Sequence, residues 1–163
     1  MENNYKVRLA NQNDSRRVWE IRNHPDVRAV SGNSQEFPFE SHDPWFQKKY
    51  FSGADNHCFV LEATINDQEP TANGKKLVLG YCRYDYDLDH DHYIVAIALD
   101  PSYHGRGLGH MLLSESSKML SPSKKIFAEI QRGNVPSLKL FQKNGYEIFE
   151  EDEKNYHLYY PTQ

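Results

Sequence analysis

The chain has few cysteines and no long apolar run. Cys58 and Cys82 are the two cysteines among 163 residues, and their spacing is not that of a metal site. We therefore expect two reduced thiols in strands of a cytosolic protein and no disulfide. The start, MENNYKVRLA, lacks the apolar stretch of a signal peptide, and no run approaches the length of a membrane span. A cytoplasmic protein with no membrane partner is expected.

The chain also lacks an excess of positive charge. It has 19 Lys and Arg against 23 Asp and Glu, a net charge of -4. Nucleic-acid binders usually carry a basic excess, so no nucleic-acid partner is expected and any anion site must be local. The eight histidines show neither HxxxH nor HExxH spacing, which predicts no metal.

The apolar pattern predicts a single α/β domain over residues 1–163. Its order is strand, helices, antiparallel meander, helix, strand, helix and two strands. YKVRLA, HCFVLEATI, LVLGYCRYDYD and HYIVAIALD are the first four expected strands, with Asn73-Gly74 marking a hairpin turn before the third. Asn13-Asp14-Ser15 is expected to cap the first helix, and Ser121-Pro122 to end the helix after the fourth strand.

The stretch YHGRGLGHML places three glycines immediately before a predicted helix. Glycine allows positive φ and close approach of a ligand, and the first N–H groups of a helix lack internal partners. Gly105, Gly107 and Gly109 therefore predict either a flexible turn or an anion site, with pyrophosphate as the natural guest and Arg106 as a clamp. The stretch lacks the Gly-Lys-Ser/Thr ending of a P-loop, and its GxGxG spacing departs from the GxGxxG dinucleotide motif.

Two motifs resemble those of the GNAT acetyltransferase superfamily. HGRGLG is similar to its (Q/R)xxGx(G/A) loop, with His104 in the first position and Gly107 and Gly109 in place. NVPSLKLFQKNGY, about 25 residues further on, is similar to NxxSxxxFxxxGY. The resemblance implies a mixed, mostly antiparallel sheet of six to seven strands with helices on both faces. It also implies acetyl-CoA as co-substrate and a small-molecule amine as acceptor, in a monomer or homodimer.

The resemblance also assigns coenzyme contacts. It implies that the main chain of Ile97 to Leu99 pairs with the pantetheine arm, that the N–H groups from Gly105 to His110 hold the pyrophosphate, and that Asn134 and Phe141 line the thioester end. The expected coenzyme-binding residues are Ile97, Ala98, Leu99, His104, Gly105, Arg106, Gly107, Leu108, Gly109, His110, Asn134, Ser137, Phe141 and Lys143.

The segment from Ile21 to Phe51 resembles the RNxPxVR…S…HxxWF segment of family members that acetylate nucleotide-linked amino sugars, in nonulosonic acid and surface polysaccharide pathways. Members that acetylate ribosomal protein N-termini start similarly. On this resemblance, six residues are expected to bind the acceptor: Arg22, His24 and Arg28 facing phosphates, Asn33 and His42 facing hydroxyls, and Trp45 stacking on a ring. A core position for Trp45 and a surface salt bridge for Arg28 are the alternatives.

Acetyl transfer to an amine needs a neutral nucleophile and a polarised thioester carbonyl. A backbone N–H near Ala98 or Leu99 can polarise the carbonyl. Glu129 is the predicted base, since its strand neighbours the coenzyme strand; a salt-bridged sheet residue is the alternative. Many relatives have a tyrosine that acts as general acid at the position of Phe141. Tyr103, Tyr146 and Tyr156 are therefore the candidates to protonate the departing CoA thiolate.

The sequence therefore predicts an N-acetyltransferase whose acceptor is a nucleotide-linked amino sugar. Acetylation of protein N-termini or small amines is an alternative. A non-catalytic acyl-CoA sensor is a further alternative, because the usual tyrosine is absent at Phe141.

Overall fold

The computed structural model describes residues 4–65, 75–121 and 123–161. Asn73-Gly74 and Pro122, which carried a predicted turn and part of a helix stop, lie outside these residues. No helix in the described ranges is both long enough and apolar enough to cross a bilayer.

One sheet of seven strands organises the described residues, in the order β1-β2-β3-β4-β5-β7-β6. Every neighbouring pair is antiparallel except β4 and β5, which are parallel. The predicted mixed, mostly antiparallel sheet is thus confirmed. The strands are β1 (Asn4–Leu9), β2 (His57–Ile65), β3 (Lys75–Asp87), β4 (His92–Leu99), β5 (Ile126–Gln131), β6 (Glu147–Glu151) and β7 (Asn155–Tyr160).

The helices follow the predicted order, but the first cap differs. They are α1 (Ser15–Arg22), α2 (Pro25–Ala29), α3 (Phe39–Phe51), α4 (Leu108–Leu120) and α5 (Val135–Lys143). Asn11, not the predicted Asn13-Asp14-Ser15, caps the short 3-10 turn that leads into α1. The Asp14 carboxylate is held by Arg8 at 2.8 Å and makes no side-chain cap to α1. The predicted end of α4 is found at Leu120.

Two hydrophobic cores lie on opposite faces of the sheet. Val60 of β2 packs with Ile21 of α1 and Phe46 of α3, whereas the next residue, Leu61, packs in the cluster that contains Leu112 of α4. Successive strand side chains point to opposite faces, so one strand serves both cores. The helices therefore cover both faces, as predicted, with α1 and α3 on one face and α4 and α5 on the other.

Candidate active site

The parallel strands β4 and β5 separate soon after they begin. Among the described residues they pair at two positions, Tyr93 with Ile126 and Ile94 with Phe127. On its other edge β4 stays paired with β3 as far as Leu99. The second half of β4 therefore has one free edge, and a cleft opens in the sheet at that edge.

The main chain of β4 offers alternate N–H groups to this cleft. The N–H of Tyr93 donates to a carbonyl on the β5 side at 2.9 Å, and that of Asp100 donates to a carbonyl of β3 at 2.8 Å. Because the direction alternates along a strand, the N–H groups of Ile97 and Leu99 point into the cleft and that of Ala98 points to β3. The expectation that the Ala98 N–H could polarise a carbonyl in the cleft is therefore wrong. Of the two predicted N–H groups, that of Leu99 faces the cleft.

The glycine loop leads from the end of β4 to α4. Gly105 and Gly107 have φ of +78° and +75°, and a Cβ at either would meet no atom of the described residues within 4 Å. Backbone conformation therefore requires these glycines, and the space beside them is open. No side chain among the described residues caps α4, and the first helical bond runs from the Met111 N–H to the Gly107 carbonyl at 3.3 Å. The three N–H groups before Met111 are thus available to an anion.

Three side chains surround the loop. His104 Nε2 lies 3.2 Å from the carbonyl oxygen at the end of β4, and the Arg106 guanidinium lies 5.3 Å from the centre of the Tyr103 ring. His110 Nδ1 lies 3.1 Å from Asn144 Nδ2, which ties the start of α4 to the end of α5. Arg106 is exposed at the rim of the loop.

Helix α5 packs beside α4. Asn134 Oδ1 accepts from the Ser137 N–H at 3.3 Å and so caps the helix, while Lys143 is exposed. Phe141 is 2% exposed and packs edge-on against Tyr146, with ring centres 4.9 Å apart. The Tyr146 hydroxyl is buried with no hydrogen-bond partner among the described residues, and burial raises the pKa of Tyr146. It therefore keeps its proton at neutral pH.

Glu129 lies on the outer face of β5. As predicted, it shares that face with Phe127 and Gln131, while the alternate residues of the strand face the core. Its side chain is 59% exposed. Glu129 accepts a hydrogen bond from Asn155 Nδ2 at 3.1 Å, and His157 Nδ1 lies 3.7 Å away. The carboxylate is thus oriented by β7 but remains open to a ligand.

A cavity of about 400 Å³ connects Glu129 to the loop after α2. Gln131 Nε2 donates to the Ser31 carbonyl at 2.8 Å and fastens this loop to β5. Asn33 lies in the same loop, where its side chain accepts from the Gln35 N–H at 3.0 Å. The cavity is lined by Gly32, Glu129, Gln131, Arg132, Gly133, Lys154 and Asn155.

Trp45 is the centre of a cationic cluster on the same face of the sheet. The Arg22 guanidinium lies 4.5 Å from both the Trp45 and Phe37 ring centres, Arg83 lies 5.4 Å from Trp45, and Lys49 lies 5.6 Å from it. Trp45 is half-buried, whereas Phe46 is wholly in the core. Trp45 was predicted to stack on a ring of the acceptor. Cationic side chains of the protein instead lie against its ring.

The cluster has more cations than carboxylates. Asp85 pairs with Arg83 at 3.2 Å and with Lys49 at 3.4 Å, while no described carboxylate forms an ion pair with Arg22. Burial and the nearby Arg83 lower the pKa of Arg22. Arg83 Nε is buried without a partner among the described residues. Three cations facing one anion form a site that favours a further anion.

Arg83 was not predicted from the sequence as a site residue. Tyr81, Arg83 and Asp85 alternate along β3 with residues of the opposite core, so their side chains share the α1–α3 face. The available signal was a cation and a carboxylate two residues apart, Arg83 and Asp85, in the middle of a strand, since a buried cation needs a partner.

Three predicted acceptor residues are held by the protein itself. His42 is 1% exposed and stacks on Phe46, so it cannot face a sugar hydroxyl, which corrects that prediction. His24 caps α2 by accepting from the Asp26 N–H at 3.1 Å. Arg28 donates to main-chain carbonyls at 2.9 and 3.0 Å and forms no ion pair with a described carboxylate, so it braces the loop after α2.

Residues 16–146 match the model of the acetyltransferase (GNAT) family, and the chain belongs to that family. This confirms the expectation of an acetyltransferase enzyme, and the family uses acetyl-CoA. No curated protein matches the sequence.

Solved structures with little sequence identity share the fold. The Salmonella typhimurium protein yncA, solved with its cofactor acetyl-CoA, is 20% identical over 96% of this chain and 92% of its own, with a TM-score of 0.71. A ribosomal-protein-alanine N-acetyltransferase from Brucella melitensis is 18% identical over 96% and 99%, TM-score 0.73. A spermidine N-acetyltransferase from Vibrio cholerae, in complex with CoA and spermine, is 15% identical over 95% and 94%, TM-score 0.73.

Proposed function

We propose that this enzyme transfers an acetyl group from acetyl-CoA to the amino group of a nucleotide-linked amino sugar. The observation that carries the proposal is the cluster of Arg22, Arg83 and Lys49 around Trp45, in which Asp85 is the one carboxylate partner among the described residues. The Arg22 guanidinium has no carboxylate partner in the part of the chain that the structure describes, and it lies half-buried between two aromatic rings. Such a group favours an acceptor that carries phosphate.

At the other end of the same face, carboxylates surround His157, next to Arg132 and Lys154 of the cavity lining. Glu129 lies near His157, and Asp152 lies 2.9 Å from the other nitrogen of that ring. An amino sugar linked to a nucleotide has this polarity, because its ammonium and its phosphates stand apart. Acetylation of a peptide N-terminus or a polyamine remains the second candidate, since these carboxylates alone would favour a cationic acceptor.

Coenzyme binding is assigned to the cleft and the glycine loop. The open N–H groups at the start of α4 suit the pyrophosphate, Arg106 adds charge at the rim, and the free edge of β4 suits an extended pantetheine arm. Bound there, acetyl-CoA would supply the acetyl thioester. The N–H of Leu99 points into the cleft, where it can donate to a carbonyl oxygen as negative charge develops.

Glu129 is assigned as the base. Its carboxylate is exposed to the cavity and held by Asn155, so it can take the proton that an ammonium must lose before attack. Phe141 cannot donate a proton and is assigned to packing. Burial raises the pKa of Tyr146 and encloses its hydroxyl, which makes Tyr146 a poor acid, so we assign protonation of the departing thiolate to water.

Thiol release from acetyl-CoA, measured across a panel of acceptors, tests the proposal. The panel contains UDP-, CMP- and GDP-linked amino sugars, the same amino sugars without nucleotide, N-terminal peptides and polyamines. We expect the highest kcat/KM on a nucleotide-linked amino sugar. Highest kcat/KM on a polyamine or peptide would refute the acceptor assignment while leaving the acetyltransferase class intact.

A further inference from the structure

The turn between β3 and β4 brings together three side chains that bind transition metals. Asp87, His90 and His92 each offer one ligand atom, and these three atoms lie within 4.8 Å of one another. Asp87 Oδ2 is 2.9 Å from His90 Nδ1 and 3.5 Å from His92 Nε2. Ligands about 2.0–2.2 Å from a tetrahedral zinc ion stand roughly 3.3–3.6 Å apart, so small side-chain rotations suffice to bind one.

The backbone of the turn orients the Asp87 carboxylate. Its Oδ1 accepts from the N–H groups of Asp89 and His90 at 3.0 and 3.3 Å, which leaves Oδ2 to face the two imidazoles. Asp91, in the same turn, is bound by Tyr86 and Lys124 instead.

Packing also restricts the two rings. His92 lies on Phe127 of β5 with ring centres 4.3 Å apart, and His90 stacks on His92 at 5.5 Å. His92 is 19% exposed and His90 is 70% exposed, so one ligand is fixed by the sheet and the other can close over an ion from solvent.

We propose that Asp87, His90 and His92 form a surface site for a divalent transition metal, with water in the remaining positions. Imidazole nitrogens favour zinc, nickel and copper over magnesium or calcium, and one carboxylate with two imidazoles is a common donor set. His90 and His92 are separated by one residue, a spacing that neither HxxxH nor HExxH includes. The site lies at the start of β4, about 23 Å along the strand from the glycine loop. A metal bound there would fasten the β3–β4 hairpin.

Thermal unfolding of the full chain, freed of metal with EDTA and titrated with zinc chloride, tests the site. With free zinc at about 100 times its Kd, measured by calorimetry, mass action raises the Tm by roughly 5–10 °C. His90→Gln should abolish this rise and leave the metal-free Tm unchanged, because the ring is exposed. Asp87→Asn keeps Oδ1 for the turn but loses the anionic ligand, and should weaken zinc binding at least tenfold.

Two controls separate this site from others. His157→Gln removes the histidine that contacts Asp152 and Glu129, and it should retain the full zinc response. Magnesium chloride should leave the Tm unchanged. The proposal is overturned if zinc does not shift the wild-type Tm, or if the shift survives in His90→Gln or disappears in His157→Gln.

Discussion

Gly80 lies directly opposite Leu99, and there is no room between them for a side chain. A Cβ at Gly80 would lie 2.4 Å from Leu99 Cδ2 and 2.8 Å from the Ala98 carbonyl oxygen. Leu99 also borders the start of α4, because a Cβ at Gly109 would lie 3.5 Å from its Cδ1. The Leu99 side chain therefore sets the position of the glycine loop relative to the free edge of β4.

Gly80→Ala should destabilise the fold and weaken coenzyme binding together. The new methyl must displace Leu99 or the β4 backbone, and overpacking of this kind costs about 1–3 kcal/mol. Urea unfolding measures the loss of stability, and calorimetry under conditions where the variant is folded measures acetyl-CoA affinity. Wild-type stability together with wild-type acetyl-CoA affinity would show that the end of β4 adjusts to the new methyl, and would contradict the prediction.

Gly107→Val should weaken acetyl-CoA binding by about tenfold or more while the fold survives. Gly107 has φ of +75° and open space beside it, so valine strains the turn and fills the room assigned to the pyrophosphate. Gly53→Val is the matched control, because Gly53 has φ of +89°, open space and a position after α3, remote from the loop. Calorimetry should show normal acetyl-CoA affinity for the Gly53 variant. An equal loss of affinity in the Gly107 and Gly53 variants would mean that backbone strain alone causes the effect.

Local features of the site could be predicted from the sequence, and long-range ones could not. The glycines, the helix start and the α5 cap at Asn134 each depend on a few adjacent residues. The separation of β4 from β5 depends on pairing between segments about 30 residues apart, which no local pattern encodes. The burial of His42 was missed because histidine is as common at surfaces as in cores, and its surroundings of aromatic rings form only in the folded chain.

Arg22→Gln should raise the acceptor KM at least tenfold for an anionic acceptor and leave the acetyl-CoA Kd unchanged. Arg22 has no ion pair with a described carboxylate, so its removal leaves no buried acid without a partner. Arg16→Gln is the matched control, because Arg16 is on the same helix and lies 4.0 Å from the Phe39 ring, but outside the cationic cluster. Steady-state kinetics and calorimetry distinguish the two; equal losses for both substrates would contradict the assigned division of the site.

Acid should destabilise the protein through His42. Burial lowers the pKa of His42 to about 4 from its usual 6.5. Between these values the unfolded chain takes up a proton that the folded chain does not, so stability is lost as the pH falls through this window. The loss reaches about 2–3 kcal/mol near pH 4.5. Urea unfolding at pH 7 and 4.5 should show this loss in the wild type and not in His42→Phe; equal pH dependence in both would place the titrating group elsewhere.

Glu129→Gln should lower kcat near neutral pH by roughly 100-fold, because a positioned base contributes at least that much. Glutamine keeps an oxygen to accept from Asn155 and loses only the charge, and the side chain is exposed, so the fold should be unaffected. Raising the pH should recover part of the loss, since solution then supplies more free amine. Glu150→Gln is the matched control, as Glu150 is an exposed acid paired across the sheet with His157 and should retain normal kcat.

Phe141→Tyr should remain active, because the variant restores the side chain common in the family at a packing position. The measurement is a pH–rate series on all three variants with the best acceptor from the panel. Wild-type kcat for Glu129→Gln across the range would make Glu129 a structural residue of β5 and place the base elsewhere, with a water chain leading from His24 as the next position to test.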